Sequence, residues 1–309
     1  MNKATNNNRK IINSYRPKVL STIILALLAG LLSFSAYSSC TIPNPSKTAT
    51  DFNKIITNLE SYDTKPGDKN IYAEFISEIQ QIHSHLNPEV DSNLKYVWVL
   101  SARYSYRKTR INPLAQDING ADINDGYDRM RLGISIARQA TAKNLNKLES
   151  ALTDEDIEHH GPIILFNGVN EDNEVLQDVL SKGEIKDYPK EKFYIFSLPE
   201  GEMHTGGQFI ALKQQFEQGK IDLTNAKIAI VTHAYHWPRT GRYIGNKPGF
   251  DTLYQNGASV TAYLVDRQFY APGVEAELKQ EMLKLPGYIA KGFILPTICT
   301  GMQCNYGTR

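Results

Sequence analysis

No acidic residue occurs among the first 39 positions of this chain, and cysteine appears only three times in 309 residues. There is no internal repeat and no low-complexity tract, which excludes solenoid arrays. Three signatures of common chemistry are also missing: a serine nucleophile elbow, a Walker-type phosphate loop and a Gly-x-Gly-x-x-Gly turn. The formal charge is +1. Five cations, Lys3, Arg9, Lys10, Arg16 and Lys18, precede residue 19, and setting them aside leaves 29 basic against 33 acidic residues. Nothing in that balance suggests a nucleic-acid footprint, which needs a basic face. What is present in ordinary amount is hydrophobic content, 41%, with 17 tyrosines.

Behind the basic start lies Val19 to Ala36, an uncharged apolar run of 18 residues. Such a run is an export signal or a signal anchor, with the basic end kept inside. As a helix it would be about 27 Å long, close to the hydrocarbon thickness, so length leaves cleavage and retention both open. Ala36-Tyr37-Ser38 has the small-x-small form of a cleavage site. Cys40 after Ser38-Ser39 has the form of a lipid acceptor, with Tyr37 where such signals favour Leu. Either way the body is expected in the cell envelope, on the extracytoplasmic side of the membrane. In that oxidising space Cys299 and Cys304, with four residues between them, are candidates for a small loop disulfide. Cys40 would then be lipid-modified or free. Zinc is not expected, because no second ligand pair follows at finger-like spacing.

Residues 41–92 form a lead-in: a polar linker over Thr41 to Thr50, then helices over Asp51 to Ser61 and Asn70 to Leu86. Lys65-Pro66-Gly67-Asp68 makes the turn between them. From residue 93 to 309, strand and helix patterns alternate. Strands are expected at Lys95 to Ser101, Pro162 to Phe166, Phe193 to Leu198, Ile228 to Thr232 and Val260 to Val265. Helices are expected over Gly126 to Ala142, Asp172 to Leu180, Thr205 to about Gln218, and Glu275 to Leu285, the last closed by Pro286-Gly287. Thr205 and Gln208 have capping-box spacing. Short apolar strands alternating with helices predict an α/β fold with a mostly parallel sheet covered on both faces.

Three strand ends carry polar residues, and in one parallel sheet they share an edge. The second strand leads into Asn167, Gly168, Asn173 and Glu174. The third leads into His204, Thr205 and Gln208, where a helix start offers backbone amides to an anion. The fourth breaks into His233, His236, Trp237, Pro238 and Arg239. His236 is a candidate general acid or base, and Arg239 a candidate phosphate clamp. The alternatives are a structural histidine and an arginine paired with an acid such as Glu174. His233-x-x-His236 also raises a metal, but no acidic ligand stands beside the pair, and none is expected.

These residues resemble the ordered motifs of the SanA/ElyC/YdcF-type family, a widespread set of bacterial domains. The resemblance rests on Phe166-Asn167-Gly168, Asn173-Glu174, His204-Thr205-x-x-Gln208 and Val231 to Arg239, with Arg129 similar to the family's arginine after the first strand. It covers roughly Tyr96 to Val265. Two departures stand out: Leu100-Ser101-Ala102-Arg103-Tyr104 where a Gly-rich turn is usual, and Asn167 where Ser is usual. The resemblance implies a Rossmann-like three-layer α/β/α domain and, for membrane-anchored members, a place in envelope and peptidoglycan maintenance. Carried over residue by residue, it points to Arg129, Gly168, Glu174, Thr205, His236 and Arg239. The expected ligand is a phosphate-bearing small molecule or an envelope lipid intermediate, with no cofactor. Either hydrolase or transferase chemistry or a non-catalytic binding or scaffold role is compatible with the motifs.

Overall fold

A computed structural model describes residues 45–62, 65–84, 88–101, 125–244, 252–265 and 274–296. The compact body comprises Thr50–Arg309, and residues 1–49 belong to a separate unit. The stretch Val19 to Ala36 and all three cysteines, Cys40, Cys299 and Cys304, lie outside the described residues. Among the described residues no helix is long and apolar enough to cross a membrane.

Five parallel strands form one sheet: β1 (Tyr96–Leu100), β2 (Ile163–Asn167), β3 (Phe193–Ile195), β4 (Lys227–His233) and β5 (Ser259–Val265). Their order across the sheet is β3-β2-β1-β4-β5. The chain thus winds outward from β1 to one edge, returns, and winds outward through β4 to the other. This is the strand order of a doubly wound, Rossmann-like sheet, whose reversal between β1 and β4 leaves a crevice at the strands' carboxyl ends. Pairing of β4 with β1 stops at Val99 opposite Val231, so Thr232 and His233 project past it.

Strand alternation sorts the core into two halves. Tyr96, Trp98, Leu100, Ile228 and Ile230 belong to one cluster, whereas Val97, Val99, Ala229 and Val231 belong to the other. All five residues of β1 are buried, as expected for a central strand. The first cluster is completed by α1 (Pro45–Glu60), α2 (Lys69–Ser84), α6 (Thr205–Glu217) and α9 (Val274–Ala290). The second is covered by α3 (Asp125–Asn144), α4 (Asp154–His160) and α5 (Asn170–Ser181). The lead-in helices therefore share the main core. Phe75, Ile79 and Ile82 of α2 are buried in it, each contributing about 1.5–3 kcal/mol.

Two differences from the expected elements have clear causes. α1 starts at Pro45, inside the stretch read as linker, since proline suits a first helical turn. α9 does not stop at Pro286 but runs to Ala290. The proline removes one backbone hydrogen bond, while Tyr288 and Ile289 beyond it pack against the core.

Close packing of α3 on β1 matters for the site. A Cβ added at Gly133 would lie 2.5 Å from Val99 Cγ2, so the helix and strand touch where only glycine fits. Arg129, four residues earlier, shares that helix face and is carried to the carboxyl end of β1.

Candidate functional site

Arg129 is 2% exposed. Its Nη1 donates to the carbonyls of Leu100 at 3.0 Å and Ser101 at 2.9 Å, and its Nε donates to His233 Nδ1 at 2.8 Å. An arginine can only donate, so His233 Nδ1 must accept, which defines a neutral ring with its proton on Nε2. Burial, and then the charge of Arg129, hold the His233 pKa well below its ordinary value. No described residue accepts a hydrogen bond from Arg129 Nη2, and no described carboxylate forms an ion pair with this guanidinium. Among the described residues this buried cation at the end of β1, beside the β1–β4 crevice, thus meets only neutral acceptors.

Beside it is a chain of hydroxyls built around His236, which the turn Ala234–His236 presents just before α7 (Trp237–Tyr243). His236 Nδ1 lies 2.8 Å from Thr232 Oγ1 and 3.3 Å from Thr240 Oγ1, and its Nε2 lies 3.1 Å from Thr205 Oγ1. Arg239 Nη1 donates to the same Thr205 oxygen at 2.9 Å. The ring proton belongs on Nδ1, because Thr240 spends its own proton elsewhere and can only accept there, and Nε2 is left to accept from Thr205. Thr240 meanwhile donates to the His236 carbonyl at 3.1 Å. Burial lowers the His236 pKa furthest, followed by the charges of Arg239 and Arg129, His233 and Lys284. The imidazole is thus neutral at neutral pH.

Arg239 is anchored from α9. Glu281 takes its Nε at 2.6 Å and its Nη2 at 3.2 Å, with Lys284 Nζ on the same carboxylate at 2.8 Å. Burial works against both charges, but Glu281 outweighs it and holds Arg239 above its ordinary pKa. The Tyr288 ring, 5.7 Å from the guanidinium, covers one side.

The third strand end behaves differently. Thr205 is the first residue of α6, and the cap is His204, whose Nδ1 accepts from Gly207 N at 3.2 Å. The expected Thr205–Gln208 capping box is therefore absent: its hydroxyl is released to His236 and Arg239. Gln208 Nε2 instead donates to Asn167 O at 3.0 Å, and Asn167 Nδ2 returns a bond to Gln208 O at 2.8 Å. Trp98 Nε1 donates to Asn167 Oδ1 at 2.8 Å. Asn167 and Gln208 thereby lock β2 to α6. A Cβ at Gly207 would run into the Glu202 carbonyl, and one at Gly206 would press on His204 and Tyr243. These two glycines admit the chain's own packing.

Among the sequence candidates, Arg129, Thr205, His233, His236 and Arg239 come together. His204 does not join them: it is exposed, and its Nε2 pairs with Glu202 at 2.8 Å. Gly168 lies at the neighbouring end of β2, where a Cβ would meet Asp172 and Ser101 at 2.8 Å. Asn173 latches that turn, accepting from Gly168 N at 2.9 Å and donating to Gly168 O and Phe196 O. Glu174 requires a correction. It is exposed, while Asp172 two residues earlier is buried and accepts from Ser101 Oγ at 2.7 Å. Residues two apart on a helix face opposite ways, so one acid points in and the other out. The carboxylate that holds Arg239 is Glu281.

Sequence reading also passed over Thr232, Thr240 and Glu281. The first two flank His236 at four residues on either side. Glu281 interrupts the apolar face of Leu278, Met282 and Leu285, a signal of a buried charge in need of a partner. Among the described residues no group of three His, Cys, Asp or Glu side chains converges as a metal-ligand set.

Fold and site together define a doubly wound α/β protein whose carboxyl edge carries two buried arginines and two neutral histidines. No protein-family model matches the chain, and neither a curated protein nor a solved structure matches it.

Proposed function

We propose that this edge binds a phosphate-bearing ligand and acts on it by hydrolysis or transfer. The ligand class is a nucleotide-sugar or a polyprenyl-phosphate intermediate of the cell envelope, in the service of peptidoglycan maintenance. The protein works on the extracytoplasmic side, tethered or exported through its N-terminal apolar run. The observation that carries the reading is Arg129: a buried guanidinium whose Nη2 no described residue claims and which has no carboxylate partner among the described residues, at the crevice where such sheets take ligands. An anion there completes the charge balance and receives charge-assisted bonds. The resemblance to the SanA/ElyC/YdcF-type family, whose motifs include Arg129, His236 and Arg239, supports the same class. In this reading His236 exchanges the proton and Arg239, tied to Glu281, polarises the groups around it.

Arg129→Met tests the binding step. Thermal shift and calorimetry against inorganic phosphate, nucleoside diphosphates, nucleotide-sugars and polyprenyl phosphates should show stabilisation of the native chain by one of these classes. The variant, checked for folding by circular dichroism, should bind that class on the order of 10- to 100-fold more weakly, the worth of charge-assisted hydrogen bonds. Equal affinity in both proteins would remove Arg129 from the ligand.

A second reading, a binding or scaffold module without chemistry, has one observation in its favour. Both His236 nitrogens are engaged by threonine hydroxyls, as a fixed strut would be. His236→Ala separates the two readings: turnover lost with binding retained marks an enzyme, and no turnover in the native protein marks the module.

A further inference from the structure

We infer that Thr205 is a covalent nucleophile, activated by His236, which carries the phosphoryl group as a phosphothreonine intermediate. This rests on the phosphate-handling reading above and deepens it. The geometry has the parts that an activated hydroxyl needs. Thr205 Oγ1 is 3.1 Å from His236 Nε2, within reach of proton transfer. The base is itself oriented through Nδ1 by Thr232 Oγ1 at 2.8 Å. Arg239 Nη1, 2.9 Å from the Thr205 oxygen, stabilises negative charge as the proton leaves.

Two further features set this hydroxyl apart from an ordinary buried threonine. It stands at the first helical position of the 13-residue α6, one past the cap that His204 supplies, so its hydroxyl is not spent on capping. Backbone amides of that first turn add a partial positive charge beside the oxygen. Thr205, His236 and Arg239 are 8%, 6% and 9% exposed, so the hydroxyl and its base are held largely out of water. Arg129, whose Nη2 no described residue claims, would hold the non-transferred oxygens of the anion.

In the first half-reaction the Thr205 oxygen forms a bond to phosphorus as its proton passes to His236 Nε2. The bond from phosphorus to the leaving oxygen breaks, its electron pair departs with that oxygen, and His236 returns the proton to it. In the second half-reaction water attacks the phosphothreonine, gives its proton to His236, and the Thr205 oxygen leaves and takes that proton. A hydroxyl of a second substrate in place of water gives transfer instead of hydrolysis.

The test uses the purified full chain and acetyl phosphate, a small phosphoryl donor whose leaving group needs no proton. After acid quenching and proteolysis, mass spectrometry should find one phosphoryl group on the Thr205 peptide. Thr205→Ser should retain the label and Thr205→Val should lose it. His236→Gln should label about 100-fold more slowly or worse, the usual worth of a general base. An unlabelled native Thr205, a label on another residue, or labelling of His236→Gln at the native rate would each overturn the inference. The native protein alone decides the first two, so the folding of Thr205→Val is not critical. If phosphate compounds still stabilise the protein through Arg129 while Thr205 stays unlabelled, the covalent step falls and the ligand class stands. If neither is seen, both fall.

Discussion

Glu281→Leu is expected to lower the free energy of unfolding by about 3–5 kcal/mol, because it strands a buried guanidinium. The partners are 9% and 3% exposed, and two hydrogen bonds at 2.6 and 3.2 Å join them. Removing the carboxylate leaves Arg239 with Thr205 and the face of Tyr288, neither of which carries a negative charge. Lys284 loses a partner too, but its side chain is 40% exposed and can turn to water at little cost. Arg239→Met combined with Glu281→Leu should recover most of the loss, since replacing both charges removes the unpaired ion along with the pair. Urea unfolding of the native chain, the single variant and the double variant measures this. A single-variant loss below about 1 kcal/mol would mean that Arg239 already reaches solvent, contrary to its burial.

Acid should destabilise the fold below the ordinary histidine range. His233 and His236 are held well below 6.5. The unfolded chain therefore takes up two protons that the native chain refuses, and stability present above 6.5 is lost as pH falls. Each such proton is worth about 1.4 kcal/mol per pH unit, so the two histidines together give a slope of about 2.7. Groups facing His236 reinforce the refusal: Arg239, Arg129, His233 and Lys284 are all cationic or able to become so.

Glu78 works the other way. Burial pushes its pKa from 4.5 up to about 7, against the pull of Arg242. Between those values the native state holds a proton that the unfolded chain lacks, so this group adds stability as pH falls from 7. The native chain should thus show a net slope of about one proton between about pH 6 and 5, and Glu78→Gln the full two. Asp156 and Asp222, at about 2, act only below their ordinary 3.8 and leave this window untouched. Unfolding free energies that stay flat from pH 7 to 5 in both proteins would show that the imidazoles titrate freely.

Much of this architecture was legible from residue types. The β-branched and apolar run at Ile228 to Thr232 marks a strand because such side chains fit a sheet buried on both faces. Its abrupt change to His233, His236 and Arg239 marks the edge where ligands sit. The Leu278–Met282–Leu285 spacing likewise marks α9. Partner choice was less legible. Thr205 and Gln208 have the letters of a capping box, yet His204 reaches Gly207 N first and the two side chains turn elsewhere. Asn173-Glu174 looks like a motif acid, but helix periodicity directs Asp172 inward instead. Pro286 reads as a terminator, and core packing of Tyr288 and Ile289 carries the helix through it.

The division follows from the range of the forces involved. Hydrophobic period, turn chemistry and strand composition act over a few neighbouring residues, so the sequence by itself determined the elements and the edge where polar groups gather. Strand order, the pairing of Arg239 with Glu281 across 42 positions, and the bond from Arg129 to His233 across 104 depend on which elements pack together. Only the tertiary structure decided those, because a buried charge takes whichever partner the fold delivers. Arg129 shows both halves of the division. Its place near the start of the helix after the first strand was visible from the sequence, but its Nη2, unclaimed by any described residue beside two neutral histidines, was not.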